Sequence, residues 1–142
     1  MPDLEYAHDL ALTWLPILEK WSVPRLLTAG HIQLQIQAHL SSLEFPPLVA
    51  AEEIIIAGNV LEVAFDELRA INGGIYIGNV DPLIVDFVGN ISAVSLPSLQ
   101  NITDGFWINS SSPLSLDLPL ENVDEVYVNE YSESIDLPNL RN

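Results

Sequence analysis

Ile54-Ile55-Ile56-Ala57-Gly58-Asn59-Val60 and Gly74-Ile75-Tyr76-Ile77-Gly78-Asn79-Val80 carry the same pattern: a short apolar run closed by Gly-Asn-Val. Gly105-Phe106-Trp107-Ile108-Asn109 and Glu125-Val126-Tyr127-Val128-Asn129 are two further copies, and Gly30-His31-Ile32-Gln33-Leu34-Gln35-Ile36 is the earliest clear one. The alternation of apolar and polar residues in Ile32–Ile36 has the period of two expected of a half-buried strand. Gly and Asn after the apolar run suit a turn that needs positive φ, since Gly has no Cβ to clash and Asn tolerates the left-handed region.

A second strand follows each first one. It reads Leu43-Glu44-Phe45-Pro46-Pro47-Leu48, Val63-Ala64-Phe65-Asp66-Glu67-Leu68, Val94-Ser95-Leu96-Pro97-Ser98-Leu99, Leu116-Asp117-Leu118-Pro119-Leu120 and Ile135-Asp136-Leu137-Pro138-Asn139-Leu140, with Val23-Pro24-Arg25-Leu26 in the same set. The pair recurs about every 20–22 residues, the signature of stacked coils. Pro stands just after the last inward residue of the strand. There the chain leaves the sheet and a missing N–H goes unnoticed. The expected fold is an all-β solenoid of about five coils. Two spacings break the period, Leu15 to Val23 and Phe87 to Leu96, and each reads as a coil that lacks its first strand.

The N-terminal stretch is open to two readings. Leu4, Ala7, Leu10, Ala11, Trp14, Leu15 and Leu18 follow helical spacing behind Asp3 as an N-cap, but Pro16 inside such a helix costs about 3 kcal/mol. The rival, which we favour, makes Leu12–Leu18 a second strand of the repeat and leaves residues 3–9 as a short helical cap or a frayed end. The expected organisation is residues 1–20 as N-terminal cap or partial repeat and 21–142 as the repeat solenoid, within a longer protein.

The 142 residues carry a net charge of −16 with only Lys20, Arg25, Arg69 and Arg141 as fixed cations. Nucleic-acid binding needs a basic footprint and is excluded by this balance, as is attraction to anionic membranes. No apolar run approaches the roughly 20 residues of a membrane-spanning helix. Without cysteine, disulfides, thiolate zinc sites and Cys nucleophiles are ruled out. Three N-glycosylation sequons, at Asn90, Asn101 and Asn109, point to an extracellular chain, although Met1-Pro2-Asp3-Leu4-Glu5 has neither the basic start nor the apolar core of a signal peptide.

The Leu-Pro-x-Leu corner, the polar connector, the Gly-led apolar strand and the Asn or Ser turn together resemble the receptor L-domain-like, leucine-rich-type repeats of fungal GPI-anchored cell-wall organisation proteins. The closest stretch is Leu96 to Leu140, and the likeness covers roughly residues 20 to 140. What the resemblance implies is a right-handed β-solenoid and a secreted, wall- or surface-anchored glycoprotein that supports wall integrity without enzymatic activity. A receptor-type ectodomain that recognises a glycan or protein through one solenoid face is the alternative. The expected partner is a wall polysaccharide or another wall or surface protein.

No catalytic constellation stands out. The histidines His8, His31 and His39 lie near one end, with His31 and His39 expected at turns or on the surface, and no G-x-S-x-G, phosphate loop or zinc spacing occurs. A polysaccharide-acting β-helix enzyme is the weakest alternative, since it needs a defined carboxylate pair. No cofactor is expected. Two ladders carry the candidate chemistry. If Ile75/Ile77, Phe106/Ile108 and Val126/Val128 point inward, Tyr76, Trp107 and Tyr127 point outward on one face, where they can either stack on sugar rings or pack across strands. Asp86, Asp117 and Asp136 each precede the last apolar residue of a second strand, as Glu44 does. Such a stripe either keeps sheets apart or holds a hard cation such as Ca²⁺.

Overall fold

The computed structural model describes residues 3–13, 18–78, 91–110, 113–128 and 132–141. These form twelve β-strands and no helix: β1 (Tyr6–Thr13), β2 (Lys20–Ser22), β3 (Thr28–Glu44), β4 (Ala50–Ala64), β5 (Ala70–Ile71), β6 (Ile75–Gly78), β7 (Ala93–Ser95), β8 (Asn101–Ile102), β9 (Gly105–Asn109), β10 (Leu114–Asp117), β11 (Glu125–Val128) and β12 (Ser132–Asp136). Every pairing is parallel, and the main sheet runs β1-β3-β4-β6-β9-β11. Six rungs bound about five turns of a β-solenoid, as the repeat predicts. The first-strand copies seen in the sequence fall in register, with Ile54 facing Ile75, Ile75 facing Phe106 and Phe106 facing Val126.

Burial follows the alternation. Ile32, Leu34 and Ile36 of β3, Ile54 and Ile56 of β4, Ile75 and Ile77 of β6, and Phe106 and Ile108 of β9 all turn inward, as do Leu43, Phe45, Val63, Phe65, Leu96, Leu116 and Leu118 from the other wall. Each such side chain contributes roughly 1.5–3 kcal/mol of burial, so the interior ladders are the main source of cohesion. β3 and β4 are long because they run through a corner and serve both walls. Their register slips between Ile36 and Leu40, where Gly58 has φ 115° and faces Ile36. A Cβ at Gly58 would collide with the Ile36 carbonyl oxygen, so the corner needs glycine for conformation and for space. Gly78, at φ 94°, has the same relation to the Asn109 carbonyl.

The proline corner is a β-turn. Leu26 donates its N–H to the Val23 carbonyl, Leu48 to Phe45, Leu99 to Leu96 and Leu140 to Leu137, at 3.3–3.4 Å. Proline follows the acceptor in all four, the position its fixed φ favours. The third wall is a column of backbone hydrogen bonds between connectors. Leu27 donates to Glu5, Val49 to Leu27, Arg69 to Val49, Gln100 to Arg69, Glu121 to Gln100 and Arg141 to Glu121, at 2.8–3.1 Å.

Three expectations need correction. There is no helical cap over residues 3–9, because Tyr6–Thr13 is a strand paired with Thr28–Gln35. Leu12 and Thr13 therefore belong to a first strand, and the second strand of that coil is Lys20–Ser22, paired with Ser42–Glu44. The spacing from Leu15 to Val23 thus conceals no truncated coil: Tyr6 faces Thr28 and Lys20 faces Ser42, both 22 residues on. Residues 14–17 lie outside the described residues.

The stretch from β6 to β7, which includes the spacing from Phe87 to Leu96, is longer than in the neighbouring coil. Ile56 faces Ile77, 21 residues on, whereas Val63 faces Val94, 31 residues on. Ten residues have been added to one coil between β6 and β7. Asp86 and Phe87 lie outside the described residues.

Candidate functional site

The outward row of the first-strand sheet runs Ala11, Gln33, Ile55, Tyr76, Trp107, Tyr127, each residue in register with the next. The three aromatics are therefore consecutive on one face. Tyr76 and Trp107 stack with ring centroids 4.5 Å apart and planes within 2°, close to the strand spacing of about 4.8 Å. The stacking direction thus follows the solenoid axis. Each ring gives one face to the other and presents an edge to solvent. Tyr127 is 52% exposed and stacks on neither.

The rings lie low because the sequence clears space for them. Gly105 and Gly74 stand two residues before Trp107 and Tyr76, on the same face of the strand. A Cβ at Gly105 would collide with the six-membered ring of Trp107, and one at Gly74 would come within 2.9 Å of both rings. Ring and glycine together restore the covering that a strand glycine otherwise forfeits. The Gly-x-aromatic spacing was in the sequence and marks this arrangement. The carboxylates that approach the ring from neighbouring segments had no such signal. Partial burial pushes the Tyr76 phenol above its ordinary value, and the nearby negative charges of Asp104 and Glu53 add to the effect.

The four fixed cations stand elsewhere. Lys20 pairs with Glu44 at 3.4 Å, Arg25 with Asp3 and Glu5 at 2.9 Å, Arg69 with Glu67 at 3.7 Å and Arg141 with Glu121 at 3.6 Å. All lie on the second strands, corners and connectors, so the aromatic face carries no lysine or arginine. His31, exposed within β3, has its Nδ1 3.2 Å from Asp9 Oδ1.

Asp117 and Asp136 face each other directly across β10 and β12. Glu44 is three coils before Asp117 and faces Ala64. Ala64 in turn faces Ser95, so Ser95 holds that level in the fourth coil, and Asp86 lies outside the described residues. Among the described residues, no group of three or more His, Asp or Glu side chains is placed to hold a metal ion.

Of the sequons, Asn101 is exposed and its Oδ1 accepts from Asn122 Nδ2 at 2.7 Å, with Thr103 exposed two residues on. Asn109 is half-buried opposite Gly78. Ser110 beside it is buried and donates its Oγ hydrogen bond to the Ile91 carbonyl at 2.6 Å. Asn90 lies outside the described residues. No helix among the described residues is long and apolar enough to cross a membrane. No family model, curated protein or solved structure matches this chain.

Proposed function

We propose that this chain is a non-enzymatic structural and recognition module of an extracellular matrix of the cell-wall type, in which the first-strand sheet presents its outward aromatic row to a neutral polysaccharide. The observation that supports this reading is the row itself: Tyr76, Trp107 and Tyr127 occupy three consecutive rungs on a face without lysine or arginine. Rungs about 4.8 Å apart repeat a contact along an extended polymer. The exposed ring of Tyr127 and the edge of the stacked pair offer apolar surface to the C–H faces of sugar rings. A chain of net charge −16 repels anionic polymers, whereas an uncharged glucan or N-acetylated glycan meets no such barrier. The resemblance to wall-organisation proteins fits the same reading and supplies the setting.

The test is sedimentation of the purified chain with insoluble β-glucan and chitin, beside a variant carrying Tyr76→Ala, Trp107→Ala and Tyr127→Ala. Binding by the wild type and its loss in the variant, with circular dichroism unchanged, is the expected result. A folded wild type that stays in solution with both polymers would overturn the reading.

A further inference from the structure

Strand β8 is short, Asn101–Ile102, and lies on the connector wall, paired with β5. Alternation turns Ile102 inward, where it is buried, and sends Asn101 and Thr103 outward together, both exposed. Three backbone hydrogen bonds hold the stretch in place. Asn101 donates to the Arg69 carbonyl at 3.1 Å, Ile102 to Asn122 at 3.0 Å and Thr103 to Ile71 at 3.0 Å. The Asn101 carboxamide is held through its oxygen alone. Oδ1 accepts from Asn122 Nδ2 at 2.7 Å, and the Asn101 Nδ2 donates to no described residue. The two rungs before Asn101 carry Ala70 and Ala50 at the same level, so only methyl groups border it on that side.

Asn109 is the contrasting case. It is half-buried and already has a partner in the fold. Ser110 after it is buried and bonded to the Ile91 carbonyl at 2.6 Å, which ties that corner down. Asn109 also stands two residues beyond Trp107 on the outward face of β9. A sugar there would lie beside the aromatic row. An oligosaccharide is far larger than any side chain, and a folded chain accommodates it only where the linked nitrogen faces solvent.

We infer that Asn101 carries an N-linked glycan and Asn109 does not, which puts the sugar on the connector wall and leaves the aromatic row bare. The donor is an oligosaccharide on a lipid diphosphate. The Asn101 nitrogen bonds to the anomeric carbon, the bond from that carbon to the diphosphate oxygen breaks with its electron pair, and one Nδ2 proton passes to a base of the transferase. Oδ1 is not consumed, so the hydrogen bond from Asn122 survives the modification and orients the first sugar. Asn122 is followed by Val123 and Asp124 and lacks the hydroxyl residue two places on, so the Asn pair contains a single acceptor. The inference rests on the extracellular part of the proposed function, because only a chain on the secretory route meets this donor.

The experiment is expression of the full chain behind a cleavable secretion leader in a eukaryotic cell, followed by peptide mapping of the secreted protein. An amidase that releases N-linked glycans in heavy-oxygen water converts each linked Asn to a tagged Asp. The tag is expected at Asn101 and absent at Asn109. Thr103→Ala, which leaves the bond between Asn101 and Asn122 in place, should abolish it, and Thr103→Ser should keep it. The glycosylated chain should sediment with insoluble β-glucan or chitin to the same extent as the amidase-treated chain. A secreted, folded wild type without the tag at Asn101, or with it at Asn109, overturns the inference, and this reading needs no variant to fold. So does a glycan whose removal restores lost sedimentation, since it would then cover the row. If neither form sediments while Asn101 carries the tag, the polysaccharide face fails and the glycan site stands.

Discussion

Two aromatic stacks in this molecule have nearly the same geometry and different surroundings. Phe45 and Phe65 stack inside the solenoid with centroids 4.8 Å apart and planes within 6°, and Trp21 meets Phe45 edge-on at 5.3 Å. Tyr76 and Trp107 stack outside it at 4.5 Å and 2°. The spacing of parallel rungs sets both distances, so the stack itself does not reveal what a pair is for. What separates them is water. Both phenylalanines are fully buried, whereas Tyr76 and Trp107 are each half-buried, over glycines that give them room. The inner pair closes the interior. The outer pair covers a gap in the sheet surface and leaves its edge, with Tyr127 beyond, for something else.

The sharpest way to break this comparison is to delete one ring from each stack. Phe65→Ala should cost about 3–5 kcal/mol, because it removes buried surface and leaves a cavity that parallel rungs cannot collapse to fill. Urea unfolding followed by circular dichroism measures it. A loss under about 1 kcal/mol would mean that the interior repacks and the two stacks are not distinct in kind. A double-mutant cycle on Tyr76→Ala and Trp107→Ala should return a coupling of about 0.5–1.5 kcal/mol, the ordinary worth of an aromatic pair beyond its burial.

The smallest effect is alkaline. The folded state holds the Tyr76 phenol above its ordinary value of 10.0, so it binds that proton more tightly than the unfolded chain does. Stability from this group is complete below the unfolded pKa and is lost as pH rises through 10.0 towards the raised folded value. Tyr76→Phe should remove that part of the decline, which is read as the shift in urea midpoint between about pH 9 and 11. An unchanged slope would show that the outer stack does not shield its phenol.

Much of the winding was legible because each element carried its own signal. The Gly-led apolar strands, their alternation and the Pro corners each stated the same period, and the outward row of Tyr76, Trp107 and Tyr127 followed from alternation alone. The first coil was harder. Ala7 and Leu10 fit helical spacing, Leu10 and Leu12 fit strand alternation, and only pairing with Ala29, Ile32 and Leu34 decides between them. The insertion was misread because Val85-Asp86-Phe87 resembles the end of a second strand, while Val94-Ser95-Leu96 holds that level.

The connector column has a direction. In each of its six hydrogen bonds, the later residue donates and the earlier one accepts, from Leu27 to Glu5 through to Arg141 to Glu121. Elsewhere the direction reverses, as where Phe45 donates to Ala64 and Phe65 to Ser95, and in a sheet such dipoles largely cancel. In the column they add, with carbonyl oxygens turned towards the later coils. The third wall therefore acts like an α-helix macrodipole laid along the solenoid, positive at the first coil and negative at the last. At the positive end Asp3 and Glu5 are both paired with Arg25, and at the negative end Arg141 is paired with Glu121. A fold built entirely of strands thus acquires the electrical asymmetry of a helix, with a fixed head and tail.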